Sequence, residues 1–229
     1  MMRTIGVLGG IGPQATIDFE VRLHEASQRL IPQQLNEGYP PMVTVYMRHQ
    51  PVLFEHERPR QPLEIDPRVL EMASRLGRWA DFLVSPCNTL HHFQQQIAAA
   101  AGCELLSIID LTVEELHRRA TQPVGLLGLG VPQVYSERFE AEGIDFVTAP
   151  LEHRDPVDDA ILRLTEGGDD ARHRAAAREA VEAVRDAGAV ATVLGCTEIP
   201  LLLGAHANSP DLVNPAQLLA EAAVRRAAG

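Results

Sequence analysis

The chain of 229 residues is 45% hydrophobic and carries a formal net charge of −11. That is enough apolar material for one large domain or two smaller ones, and the acidic balance argues against nucleic acid or an anionic membrane surface as partner, since both demand basic patches. All 20 basic residues are arginine, which removes the lysine required for a pyridoxal phosphate Schiff base or a phosphate-loop nucleotide site.

No apolar run approaches the ~20 residues of a bilayer span, and Met1 to Gly6 leads straight into a strand rather than a signal peptide. A cytoplasmic protein acting on a small molecule or another protein is the expectation. Three cysteines do not make a disulfide framework in a chain of this size, so reduced thiols are expected.

Thr4 to Leu8 reads as a short buried strand, and Gly9-Gly10-Ile11-Gly12-Pro13 turns it into a helix from about Pro13 to Leu30, with proline suited to the first helical position. Residues 31–41 form a loop. Val43 to Met47 is the second strand, followed by an irregular stretch from Arg48 to Pro67, long enough to suggest a functional loop. A helix is predicted over 68–80 from its apolar spacing. Asp81 to Ser85 is a strand that delivers Cys87, and Leu90 to Ala101 is the helix after it.

Leu105 to Ile109 reads as a strand, with a helix from about Leu111 to Ala120. The first pattern then restarts. Pro123 to Gly130 resembles Thr4 to Gly10 in strand, glycine and turn, and a helix over Gln133 to Glu142 follows. Phe146 to Thr148 is a strand, helices are predicted over 156–166 and 170–187, and Val190 to Leu194 delivers Cys196. Gly10 and Cys87 are 77 positions apart, Gly128 and Cys196 are 68, which suggests an internal duplication. Leu212 to Asn214 and a helix over 216–227 close the chain.

Alternating strands and helices imply an α/β fold with parallel sheets flanked by helices. Two similar domains are expected, residues 1–109 with 212–229 and residues 110–211, related by a pseudo-two-fold axis with the site in the cleft between them. Ligands in such folds bind at the carboxyl ends of strands, where the glycine turns and both cysteine turns fall.

Cys87 and Cys196 each end a buried strand and precede a small polar residue able to start a helix, a setting in which amide dipoles favour a thiolate. Two thiols in matching places suggest a paired chemistry. Cys103 lacks such a turn and reads as structural. Gly10-Ile11-Gly12-Pro13-Gln14-Ala15 also fits a dinucleotide fingerprint, with Arg48 suited to a 2′-phosphate, but a nucleotide site leaves both cysteine turns unexplained. His91, four residues after Cys87, could share a helix face with it and, with Cys196 or Glu198, ligate a metal; one visible pair is too few ligands, so no metal is expected and a solvated or hydrogen-bonding histidine is preferred.

Ile5 to Thr16, Pro86-Cys87-Asn88-Thr89-Leu90-His91 and Gly195-Cys196-Thr197-Glu198-Ile199 together resemble the aspartate/glutamate racemase superfamily, and within it the aspartate racemase and broad-specificity amino-acid racemase group. The resemblance spans essentially the whole chain. It implies an isomerase with no cofactor, usually a homodimer, in which Cys87 and Cys196 exchange the roles of base and acid at the α-carbon of an amino acid or small carboxylic acid. It further implies that the amides of the Gly9-Gly10 turn and of both cysteine turns, with Asn88, Thr89 and Thr197, hold the α-carboxylate, and that Glu198 takes the ammonium. Where aspartate-type members carry Ile-Pro-Asp-Arg-Thr after the second strand, this chain reads Arg48-His49-Gln50-Pro51, so Arg48 is only a nearby candidate for a side-chain carboxylate. The second glycine turn, Gly128-Leu129-Gly130-Val131-Pro132, also lacks the family's threonines. Related reactions of the superfamily (maleate isomerisation, hydantoin racemisation, decarboxylation) and a non-catalytic clamp for a small acid are the alternatives.

Overall fold

In a computed structural model, residues 2–35, 37–56 and 58–229 are described. Met1, Asn36 and Glu57, which the sequence places in the leading segment and in the loops 31–41 and 48–67, lie outside them. The chain divides into two compact units, Met1–Ile108 with Leu219–Gly229, and Ile109–Leu218. Each is built on a parallel sheet with helices packed on it.

In the first unit β1 (Ile5–Gly9) is the central strand, paired in parallel with β2 (Met42–Tyr46) on one side and β5 (Phe82–Val84) on the other. Its five residues are all buried, as a continuous apolar strand between two helical layers should be. Helix α1 (Pro13–Leu30) starts with proline in its first turn. On another side of the sheet α2 (Pro67–Leu76) and α3 (Gln94–Ala101) bury Val69, Ala73, Leu76 and Ile97 against Leu8 and Leu83.

The stretch 48–67, expected to be irregular, is a ribbon. Strands β3 (Phe54–Glu55) and β4 (Arg58–Pro59) pair antiparallel, and Val52 bridges Ile65 at the base. The ribbon ends in Asp66, whose carboxylate caps α2 by accepting the Arg68 N–H at 2.9 Å. The Arg68 guanidinium closes on the same carboxylate at 2.6 Å, and this hydrogen bond holds the Asp66 carboxyl down to about 2.

In the second unit β6 (Val124–Leu127) lies between β7 (Phe146–Thr148) and β8 (Ala191–Leu194), with β9 (Leu212–Val213) beyond β8, all parallel. The helices are α4 (Ile108–Arg119), α5 (Gln133–Glu142), α6 (Leu151–Thr165), α7 (Ala171–Asp186) and the short α8 (Ile199–Leu203); α9 (Pro215–Ala228) returns to the first unit at Leu219. Ile161, Val181 and Val184 from α6 and α7 pack on Leu127 and Leu194. The orders β2-β1-β5 and β7-β6-β8 repeat one plan: glycine strand in the middle, its successor on one side, the cysteine strand on the other.

Several expectations change. Residues 212–218 belong to the second unit rather than the first, because β9 pairs with Thr192 and Val193 of β8. The predicted strand 105–109 reduces to one bridge, Leu105 to Leu83; Ile108, Ile109, Thr112, Val113 and Leu116 are all buried, and this i, i+4 spacing commits the residues from Ile108 on to α4. Pro156, read as a helix start, lies inside α6. The helix predicted over 90–101 is split, with a 3-10 turn over Asn88–Phe93 before α3.

Asp66→Ala is expected to lower stability by about 1 to 2 kcal/mol, the usual cost of losing an N-cap, measured by urea unfolding at pH 7. Because the Asp66 pKa is depressed, the carboxylate's contribution is present above the ordinary Asp range, and the difference should shrink as the pH falls towards 2.

Candidate active site

The site residues assemble within each unit at the carboxyl ends of neighbouring strands. In the first unit the turn after β1 is fixed by Thr16 on α1. Its Oγ1 accepts the Gly10 N–H at 2.8 Å and donates to the Gly12 carbonyl at 3.1 Å. Gly10 has φ +84°, and a Cβ there would run into the Met47 backbone, so only glycine fits. The expectation that the Gly10 amide holds a carboxylate therefore gives way to a structural role, since Thr16 already takes that N–H. Gly9 is held close under Thr16, where a Cβ would meet the Thr16 methyl at 2.5 Å. By the general rule for helix starts, the amides of Gln14 and Ala15 in the first turn of α1 have no partner within the helix.

Cys87 follows β5 by three residues. Ser85 is fully buried and donates its hydroxyl to the Leu8 carbonyl at 2.8 Å, which ties the exit of β5 to β1. His91 Nε2 lies 3.2 Å from the Ser85 carbonyl and the ring is buried, so of the solvated and hydrogen-bonding readings the second holds. The Leu90 N–H returns to the Cys87 carbonyl at 3.1 Å, closing the 3-10 turn. Cys87 and Asn88 are buried, Thr89 half-buried. With only a 3-10 turn beginning at Asn88, the helix-dipole support expected for the thiol is weaker than an α-helix would give.

Arg48 lies just beyond β2, exposed, with its guanidinium 5.2 Å over the Tyr46 ring. The Tyr46 hydroxyl donates to Glu20 on α1 at 3.2 Å. This stack places Arg48 on the α1 side of the edge strand.

In the second unit the Gly195 N–H donates to the Leu127 carbonyl at 2.6 Å, and a Cβ on Gly128 would lie 3.3 Å from the Gly195 carbonyl carbon. The second glycine turn and the Cys196 turn are thus in direct backbone contact. The Gly130 N–H donates to Asp158 on α6 at 2.8 Å.

Cys196 donates its thiol to the Glu198 carboxylate, Sγ to Oε2, at 3.0 Å, and Thr197 Oγ1 donates to the same oxygen at 3.2 Å. Glu198 is 6% exposed. Desolvation pushes its carboxyl above the ordinary Glu range, offset in part by the thiol, its own amide and Thr197. Sequence reasoning placed Glu198 correctly on the Cys196 turn but not against the thiol; a carboxylate two residues on, across a tight turn, can curl back onto it. Tyr135 was missed altogether. It is fully buried on α5; burial raises its phenol, a hydrogen bond with Thr112 acts the other way, and charge on Cys196 raises it further. A hydroxyl sharing the buried face of α5 with Phe139 was the available signal.

The sequence profile of the Asp/Glu/hydantoin racemase family matches residues 8–223. The chain belongs to this family. It is 30% identical to the broad-specificity amino-acid racemase RacX of Bacillus subtilis (strain 168) over 123 residues, 53% of each chain, so the match spans about half of that relative. An aspartate racemase homologue from Pyrococcus horikoshii OT3 shares the fold at TM-score 0.76 and 19% identity, covering 100% of both chains. The Picrophilus torridus aspartate racemase does so at 0.69 and 19%, covering 99% of this chain and 94% of its own.

All three cysteines are thiols outside any disulfide. Among the described residues no group of three or more His, Cys, Asp or Glu is placed to hold a metal ion, and no helix is long and apolar enough to cross a membrane.

Because burial raises the Glu198 carboxyl, the folded state holds its proton more tightly than the unfolded chain does. Ionising it above the ordinary Glu range therefore costs stability. Glu198→Gln is expected to raise the Tm at pH 8 relative to the parent and to change it little at pH 4, read by calorimetry across that range.

Proposed function

We propose that the protein is a cofactor-independent amino-acid racemase in which Cys87 and Cys196 exchange protons with the α-carbon of one substrate. Family membership supports the reaction class, and the hydrogen bond from Cys196 to buried Glu198 supports the proton chemistry. A thiolate and an ionised carboxylate about 3 Å apart repel strongly in a desolvated pocket. The pair therefore shares one proton: on sulfur, Cys196 is an acid; moved to Glu198, it leaves a thiolate able to act as base. In that state Cys196 removes the α-hydrogen, the electron pair is delocalised into the α-carboxylate, and the Cys87 thiol delivers a proton to the opposite face. The reverse direction exchanges the roles.

Anion donors at the strand exits suit the enediolate that develops. With the Gly10 amide taken by Thr16, the first-turn amides of α1 and the side chains of Asn88, Thr89 and Thr197 are the groups assigned to the α-carboxylate. Glu198, engaged by Cys196 through Oε2, keeps Oε1 for the α-ammonium. A homodimer, as the resemblance implies, is part of the same proposal and is tested by sedimentation at two concentrations.

Purified protein in deuterated water with a panel of L-amino acids should wash deuterium into the α-position, followed by proton NMR. Cys87→Ser and Cys196→Ser should each lower turnover by about 100-fold or more, the usual weight of a general acid or base. Full activity in both variants, or absence of exchange with every amino acid offered, would rule the proposal out. Turnover that survives loss of one cysteine but not the other points instead to a one-cysteine reaction of the superfamily.

A further inference from the structure

The ladder between β5 and β1 stops at Val84, which pairs with Val7, and Cys87 lies beyond it. Pro86, just before the cysteine, has no N–H to donate. Side chains take over from the ladder there. Ser85 is fully buried, and its Oγ donates to the Leu8 carbonyl at 2.8 Å, standing in for the next rung. The Ser85 carbonyl faces His91, with Nε2 at 3.2 Å. A carbonyl oxygen only accepts, so Nε2 carries the hydrogen in this contact.

His91 thereby closes a loop of backbone around the thiol. Cys87 is extended, with φ −138° and ψ 103°, and forms the N-cap of the 3-10 helix Asn88–Phe93. Its carbonyl accepts the Leu90 N–H at 3.1 Å, and the next residue, His91, reaches back past the cysteine to Ser85. Ser85, Cys87, Leu90 and His91 are all buried, so the imidazole bond is made in a low-dielectric setting that strengthens it. A 3-10 turn has poorer hydrogen-bond geometry than an α-helix; a contact across it restricts the segment that carries the sulfur. Among the described residues no metal-ligating group includes His91, and the proton chemistry set out above does not use it.

We propose that His91 is a positioning residue for proton transfer at Cys87: by donating to the Ser85 carbonyl it fixes the turn, and with it the place of the sulfur. The inference rests on the racemase reading above. Rates fall steeply when a reacting group is misplaced, by about 100-fold for a 1 Å shift. Under this assignment the thiol moves the proton to or from carbon, and the imidazole only holds the turn. Cys196 has different support, the Glu198 carboxylate at 3.0 Å. Loss of the His91 bond should therefore slow one of the two proton transfers and spare the other.

The test uses an amino acid that the parent racemises, α-deuterated in either hand, assayed well below the Tm of each variant. Enantiomers have equal free energy, so kcat/KM must fall equally in both directions whichever transfer is slowed; the isotope effect tells them apart. His91→Leu removes the donor and should lower kcat/KM by about 10- to 100-fold. His91→Gln returns an amide N–H near the Nε2 position and should recover most of that loss. In His91→Leu the α-deuterium effect on kcat/KM should rise for the enantiomer deprotonated by Cys87, where that transfer becomes limiting. It should fall for the other, whose C–H cleavage then precedes the slow step. Glu198→Gln, which alters the partner of Cys196, should split the two effects in the opposite sense. If His91→Leu does not fold, His91→Asn, whose shorter amide does not span to Ser85, replaces it in the same comparison. Unchanged kcat/KM, a Gln variant no better than Leu, or isotope effects that move together or in the sense of Glu198→Gln overturn the assignment and leave a racemase in place. A parent that exchanges no amino acid overturns the racemase reading, and this inference with it.

Discussion

Close backbone approach at the strand exits is the constraint on which the chemistry of this chain depends. A Cβ on Gly10 would strike the Met47 backbone, and one on Gly195 would lie 2.8 Å from the Leu127 carbonyl oxygen. Removing those carbons lets the turn after a central strand nest against the turn of its neighbour. In the second unit this sets the Cys196 turn directly against the glycine turn, whereas Cys87 is buried within its own unit's core. Packing of this kind tolerates no volume change, because the neighbours are main chain and cannot rotate away. Thr16 completes the arrangement in the first unit and Asp158 in the second, a neutral hydroxyl in one and a carboxylate in the other.

That difference extends to the thiols. Cys196 has a buried carboxylate at 3.0 Å, whereas the turn after Cys87 supplies Asn88, Thr89 and His91 and no acid. A repeat of strand order thus carries two thiols in chemically distinct surroundings. Cys196 has a carboxylate as local hydrogen-bond partner, where the turn after Cys87 carries amide and hydroxyl side chains. Under the proposed two-cysteine reaction, the two half-reactions need not have matched pH limits, since each would begin with a different thiol as base. The buried Tyr135 and Thr112 belong to the unit that carries Cys196, whose charge acts on the Tyr135 phenol.

The plan of the chain was legible because its signals were continuous. Buried runs such as Ile5–Gly9 and Ala191–Leu194, each followed by a glycine or cysteine turn, admit little besides a central parallel strand. Helices such as α5, with glycine closing it at Gly143, announced both ends. What was not legible was set by single tertiary choices. Leu105 to Ile109 has the β-branched composition of a strand, but helical spacing of its buried residues decided otherwise. Leu212 and Val213 are two apolar residues whose unit is determined only by which edge they pair with. At the site, the fate of the Gly10 amide depended on a hydroxyl six residues on, and the position of Glu198 on a turn too tight for pattern to reveal.

Net charge and local charge do different work here. Most arginines of the second unit are held on helix surfaces in short-range pairs, Arg119 with Glu115, Arg174 with Asp169 and Arg185 with Asp211 among them. The surplus carboxylates on those surfaces act over about 8 Å at physiological salt before screening removes them. They can therefore bias the approach of a charged amino acid, an effect on association rate that salt would erase. Discrimination once the substrate is bound must come from groups that solvent does not screen. At the exits of β6 and β8 these are Glu198 and Asp158, both at least half-buried. Glu198 is engaged by the Cys196 thiol, so its charge is coupled to the protonation of that sulfur. Asp158 is tied to the second glycine turn instead, through the Gly130 N–H.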